Sequence, residues 1–272
     1  MKKIIIGIVL FLAIGQQSKA QNASQDTLDI IKKTYDQLWE LGEKNQKDTF
    51  RLVSYKPIYV TAGRVSNNPN EKPESENPSY TAEEAEDFNN IEAKSQKAHW
   101  QVYNQNISRA FREINYEPEI IFRYPVKVKA FNGEFKSIGF AFNHQSNGRD
   151  VPLSRSWNRI IFHVGYEIDN WIITLNPWIR TNDSDDENPY ITKYIGNGEI
   201  NISYHHNRHE FYAIATHPFD RWKGGSIQLN YVFPMKGHLR GHVQFFNGYG
   251  ETMIDYNHRQ TTIGIGVSFA NW

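Results

Sequence analysis

His144, Ser146 and Asn158 are the residues whose types and spacing could do chemistry in this chain. Ile138, Phe140 and Phe142 share one face of an alternating segment, and His144 and Ser146 continue that face. An imidazole and a hydroxyl two residues apart on one side of a strand are close enough to meet. In the next alternating segment Ile160, Phe162 and Val164 share a face, and Asn158 continues it. If the apolar faces look at lipid, three polar groups converge at the membrane-facing end of two adjacent strands. Exposed singly, each would be costly there. As a hydrogen-bonded set they have the makings of a nucleophile (Ser146), its general base (His144) and a neutral partner that orients the imidazole (Asn158). The same spacing also allows a plainer role, in which all three solvate the rim at headgroup level.

The elements that must position them read as strands. The chain has 272 residues, no cysteine and a formal net charge of zero. Its length suits one large domain. The lack of cysteine excludes disulfides, thiolate metal sites and lipoprotein anchoring. Neutral charge gives no electrostatic case for nucleic acid. Hydrophobic content is 39%, mean hydropathy −0.65 and aromatic content 14%. This is too polar for a bundle of membrane helices and compatible with a transmembrane β-barrel. Lys2 and Lys3, the apolar run 4–15 and Ser18-Lys19-Ala20 predict a secretory signal peptide over residues 1–20. No later apolar run is long enough for a membrane helix. Residues 21–50 are polar with a weak helical pattern, and are expected to form a periplasmic extension. Residues 51–272 are expected to form the barrel.

Alternation predicts strands over 115–130, 135–146, 156–168, 171–181, 194–206, 209–219, 224–235, 239–249 and 259–272. Two more are expected, at 53–62 and within 91–105. The last segment is the clearest, with Ile263, Ile265, Val267 and Phe269 on one face and a terminal Trp272. A soluble β-sandwich is the competing fold. His205-His206-Asn207-Arg208-His209 would suit a metal, but falls in a predicted periplasmic turn.

The run His144-Gln145-Ser146-Asn147-Gly148-Arg149, followed by Ser154-Arg155-Ser156-Trp157-Asn158-Arg159, resembles the signature of the outer-membrane phospholipase A family. Further matches are Phe111-Arg112-Glu113-Ile114-Asn115-Tyr116-Glu117-Pro118, Asn176-Pro177-Trp178, Asn188-Pro189 with Ile191-Thr192-Lys193-Tyr194, and Gly248-Tyr249-Gly250-Glu251 with Ile254-Asp255-Tyr256-Asn257. They occur in the family's order over roughly residues 100–272. The resemblance implies an antiparallel barrel of twelve strands. It implies calcium-dependent hydrolysis of acyl esters of phospholipids, at sn-1 and sn-2, and of lysophospholipids, in the outer membrane. It also implies activation as a homodimer.

Carried over by position, the resemblance makes Ser146 the nucleophile, His144 the base and Asn158 its partner. The backbone N–H of Gly148 becomes an oxyanion donor. Calcium would be held by the carbonyl of Arg149, the hydroxyl of Ser154, a serine of the partner subunit matching Ser108, and an acidic residue. Asp186 is the first choice for that residue and Glu187 the second; Gln96 is a weaker match to a polar residue of the dimer face. Hydroxyl, carbonyl and carboxylate oxygens are what Ca²⁺ takes. The loops carrying Ser108, Arg149–Ser154 and Asp183–Glu187 are alternate connections, so they should share the extracellular rim.

Only eleven strands can be counted, and about a strand pair's worth of the family pattern is compressed before Trp100. Two other function classes use the same barrel. A passive porin or adhesin would lack the triad chemistry, and a lipid A deacylase would differ in substrate.

Overall fold

The computed structural model describes residues 59–67, 94–100, 111–181, 186–217, 224–236 and 239–269. The predicted signal peptide and periplasmic extension, and Ser108, lie outside them. Eleven strands are present among the described residues: β1 (Tyr59–Ser66), β2 (Lys94–Trp100), β3 (Phe111–Ala130), β4 (Gly133–Ser146), β5 (Ser156–Ile168), β6 (Trp171–Thr181), β7 (Gly198–His206), β8 (His209–Thr216), β9 (Ser226–Pro234), β10 (Leu239–Gly248) and β11 (Gln260–Phe269). They form one sheet in the order β1-β11-β10-β9-β8-β7-β6-β5-β4-β3-β2, with every neighbouring pair antiparallel. The sheet curls into a barrel, so that Arg112 of β3 reaches across to form a bidentate ion pair with Asp255 in the β10–β11 connection.

Most predicted strands coincide with these elements, although β3 begins four residues before the expected 115 and β1 runs four residues past the expected 62. Residues 194–197, expected to begin a strand, do not. There the chain makes one helical turn, α1 (Ile191–Tyr194), with Ile195 N–H donating to the Ile191 carbonyl at 2.9 Å. Tyr194 is drawn inward to pack on Tyr249 and Tyr256, with ring centroids 5.3 and 5.8 Å away. Packing across the barrel mouth overrides the local alternation.

The burial pattern is that of a barrel in lipid. Ile138, Phe140, Phe142, Phe162, Ile179, Leu229, Ile263 and Ile265 are exposed on the outside, whereas Glu113, Asn143, Arg159, His163, Asn230 and His242 are buried inside. Apolar-out and polar-in alternation satisfies both solvents. Among the described residues no helix is long and apolar enough to cross a membrane.

The two rims differ. On one, β3–β4, β5–β6 and β7–β8 are joined by two-residue turns at 131–132, 169–170 and 207–208. Phe131 (φ 51°) and Asn132 (φ 63°) both adopt the left-handed region, as a tight hairpin whose twist matches its strands requires. On the other rim lie the long connections 147–155 and 249–259 and the described residues 186–197 that lead into β7. Short turns face the periplasm and long loops the exterior in barrels of this kind. His205, His206 and His209 flank the tight turn at 207–208, on the short-turn rim. A buried cluster of Ala141, Trp157, Ile161, Trp178, Ile191, Met253 and Tyr256 lies beneath the long loops.

Candidate active site

The β4–β5 register sets His144 directly opposite Asn158, and Ser146 directly opposite Ser156. Their alternate neighbours Phe140, Phe142 and Phe162 are exposed apolar residues, so all four lie on the outward face. His144 Nδ1 is 2.8 Å from Asn158 Oδ1. An amide oxygen only accepts, so Nδ1–H donates and Nε2 keeps its lone pair. Ser146 follows on the same face about 7 Å along the strand, Cα to Cα, so Nε2 is the ring nitrogen free to serve its hydroxyl.

The inward residues of the same strands lock this register. Arg159 donates to Asn143 Oδ1 through Nε (2.9 Å) and Nη2 (2.6 Å), and to Glu117 Oε1 through Nη2 (2.8 Å). Its guanidinium stacks 4.2 Å over the Trp157 ring and 5.2 Å from that of Trp178. Trp157 Nε1–H donates to Gln145 Oε1 at 2.9 Å. A slip of one residue would exchange the two faces and bury His144, Ser146 and Asn158. It would also expel a paired arginine and a tryptophan into lipid, so the register is strongly specified.

Asn147 holds the loop that follows. Its N–H donates to the Arg155 carbonyl (3.0 Å), its Oδ1 accepts from Arg155 N–H (2.9 Å), and its Nδ2 donates to Glu113 Oε1 (3.0 Å) and the Leu153 carbonyl (2.8 Å). Glu113, fully buried, also accepts from the N–H groups of Met253 (2.8 Å) and Ile254 (2.7 Å). One carboxylate thus ties the loop after Ser146 to the β10–β11 loop across the mouth. Asn147 and Glu113 both fall within the quoted motifs, yet nothing local in the sequence marks them for this role. A carboxylate reaching two N–H groups some 140 residues away leaves no local signal.

Gly148 takes φ +58°, and a Cβ there would lie 3.3 Å from the Tyr116 ring. Its lack of a side chain lets the backbone turn just past Ser146. Arg149 donates through Nη2 to the carbonyls of Phe111 (2.9 Å) and Arg112, so its side chain anchors the loop.

Ser154 Oγ–H donates to Glu187 Oε1 at 2.6 Å, and Ser156 Oγ–H to Glu187 Oε2 at 3.4 Å. Asp186 points elsewhere. It is ion-paired with Arg180 and accepts from Asn188 N–H at 3.1 Å. Of the two acidic candidates, then, the structure brings Glu187 and not the first choice, Asp186, to Ser154. The neighbouring guanidinium is the physical reason. Gln96 lies in β2 but its side chain is outside the description. Among the described residues no cluster of three or more His, Asp or Glu is placed to hold a metal. The oxygen set around Ser154 is of another kind, with one carboxylate and neutral oxygens.

The family model for phospholipase A1 matches residues 91–269. The chain belongs to the phospholipase A1 family. A relative described as a putative phospholipase A1, from Neisseria meningitidis serogroup B, is 32% identical over 96% of this chain and 76% of its own length. Phospholipase A1 of Escherichia coli K12 is 37% identical over 64% of this chain, which spans 59% of that relative's length. The crystal structure of the Salmonella typhi outer membrane phospholipase dimer with bound calcium superposes with a TM-score of 0.61 at 35% identity, covering 65% of this chain and 68% of that one. This phospholipase A1-family chain is an outer-membrane β-barrel and a hydrolase, and the soluble sandwich is excluded. The match begins at residue 91, just before β2, so the motif-bearing strands β3 to β11 all fall within it.

Proposed function

We propose that the chain hydrolyses acyl esters of membrane phospholipids and lysophospholipids, at sn-1 and sn-2, with Ser146, His144 and Asn158 as its catalytic triad. The observation that carries this reading is the His144–Asn158 hydrogen bond on the lipid-facing side of β4–β5, with Ser146 next on the same face. A lipid in the outer leaflet presents its ester to Ser146 from the bilayer side. Nε2 of His144 takes the hydroxyl proton as Oγ attacks the acyl carbon. The Gly148 N–H donates to the oxyanion, a type of contact worth about 3–4 kcal/mol of barrier. His144 then protonates the departing glycerol oxygen, and through the same nitrogen activates the water that releases the fatty acid. Asn158 keeps the imidazole in the required tautomer without adding charge.

The oxygens around Ser154 fit Ca²⁺, a hard cation. The Ser154 hydroxyl, the Glu187 carboxylate and the Arg149 carbonyl would hold it, joined in a homodimer by the partner's serine at position 108. Glu187 replaces Asp186 in this set because Asp186 is already paired with Arg180. When bound, calcium supplies Lewis-acid polarisation near the oxyanion.

The test is fatty-acid release from mixed phospholipid micelles by refolded protein, with calcium or EDTA, beside Ser146→Ala. Calcium-dependent release lost in Ser146→Ala is expected. Full activity of Ser146→Ala would sink the assignment. Conductance without hydrolysis would mark a porin, and release from lipid A alone a deacylase.

A further inference from the structure

We propose that Ser156 is a second oxygen-side donor to the reacting centre, held back by Glu187 until a cation engages that carboxylate. The inference rests on the phospholipase reading above. Ser156 is directly opposite Ser146 in the β4–β5 register and shares its outward face. Side chains so opposed have Cβ atoms about 5 Å apart, close enough for one hydroxyl to serve an atom bonded to the other. Asn158, the partner of His144, is the next residue on that face of β5. The Ser156 backbone is fixed, since its N–H donates to Oδ1 of Asn188, itself fully buried, at 3.0 Å.

Only the hydroxyl of Ser156 is free to rotate, and its present partner is Glu187 Oε2 at 3.4 Å. That is long for an O–H···O⁻ bond, which is normally 2.5–2.7 Å. Ser154 holds the other carboxylate oxygen at 2.6 Å. The Ser156 hydroxyl therefore sits between two acceptors, a loosely held carboxylate behind it and the place where the oxyanion forms on Ser146 in front. A cation on Glu187 weakens the carboxylate as an acceptor, and the hydroxyl turns to the oxyanion. It adds its hydrogen bond to that of Gly148, and no covalent bond of Ser156 changes. Ser156 is in this sense a switchable positioning donor that links cation occupancy to the chemical step.

The experiment compares wild type, Ser156→Ala, and the near-isosteric pair Ser156→Thr and Ser156→Val. Calcium affinity is measured by titration calorimetry on the folded protein in micelles. Turnover is measured at saturating calcium, and Ser146 labelling by a lipid fluorophosphonate is followed by mass. In Ser156→Ala and Ser156→Val, kcat at saturating calcium should fall about 10²-fold, as for loss of one oxyanion donor. KM should stay within about twofold, and calcium affinity should be unchanged or tighter because a competing hydrogen bond to Glu187 is gone. Ser156→Thr, which keeps the hydroxyl, should restore most of kcat. A purely structural hydroxyl predicts the opposite pattern, with weaker calcium binding and wild-type kcat once calcium saturates; that result would overturn the inference and leave the phospholipase reading intact. Folded wild-type protein that neither releases fatty acid nor is labelled at Ser146 would overturn both.

Discussion

Strand β5 takes part in two His–Asn pairs of nearly identical geometry. His144 Nδ1 meets Asn158 Oδ1 at 2.8 Å on the outside of the barrel, and His163 Nδ1 meets Asn176 Oδ1 at 2.9 Å inside it. His144 and Asn158 are directly opposed between β4 and β5, and His163 and Asn176 meet between β5 and β6 in the stretch bounded by the Ile161–Trp178 and Val164–Leu175 pairs. Even a serine is available on both sides. Ser146 continues the face of His144, and Ser137 lies on the inward face, opposite Gly165 and diagonal to His163. The inner histidine and serine are buried at 3% and 0% exposure, and Asn176 donates onward to Glu199. The outer set is half-buried and borders lipid-facing phenylalanines. A Ser, a His and an Asn on one face therefore do not suffice. What separates the two sets, in the proposed mechanism, is access to an acyl ester together with a loop that would bring the Gly148 N–H to the oxyanion.

The comparison breaks most readily at the serines. Ser146→Ala should lower phospholipid turnover by at least about 10⁴-fold, while Ser137→Ala should leave it within about twofold, both read as fatty-acid release by protein of native electrophoretic mobility. Equal losses from the two would dissolve the distinction between the faces.

The asparagines sharpen it. Asn158→Ala should cost about 10- to 100-fold in kcat, since the imidazole is kept but loses its orientation. Asn176→Ala and His163→Ala should spare turnover and instead lower unfolding free energy by about 1–3 kcal/mol, the cost of stranding a buried polar partner. Urea unfolding from lipid vesicles measures the second quantity.

A smaller effect separates neighbouring carboxylates. Glu187→Gln should raise the calcium needed for half-maximal activity by about 10-fold or more, because the site loses its one carboxylate. Asp186→Asn should shift it less, since its carboxylate is neutralised by Arg180. A calcium titration in which Asp186→Asn has the larger effect would restore Asp186 as the ligand.

Least in size is Gly148→Ala. A non-glycine residue at φ +58° costs about 1–2 kcal/mol, and the new Cβ would press on Tyr116 at 3.3 Å. A fall in kcat of about 10-fold is expected, with the barrel still folded by heat-modifiable mobility.

Much of the site was legible in the sequence because a strand has a strict period of two. Once Phe140 and Phe142 point to lipid, His144 and Ser146 must share their face, and Ile160 and Phe162 do the same for Asn158. The strand boundaries were legible too, since hairpin turns interrupt the alternation. Residues 194–197 depart from the alternation because Tyr194 packs on Tyr249 and Tyr256, which are distant in sequence.

By itself, the sequence determined the class of fold, the lipid-facing side of the two strands that carry the proposed triad and the three residue types able to run an acyl transfer. These depend on local periodicity and side-chain chemistry. The tertiary structure alone decided register and partnership. It set Ser156 rather than another hydroxyl opposite Ser146, turned Glu187 and not Asp186 toward Ser154, and brought Glu113 to the backbone of Met253 and Ile254. Such choices follow from which groups the curled sheet brings within hydrogen-bond reach. Adjacent residues like Asp186 and Glu187 differ only in the neighbours that folding supplies.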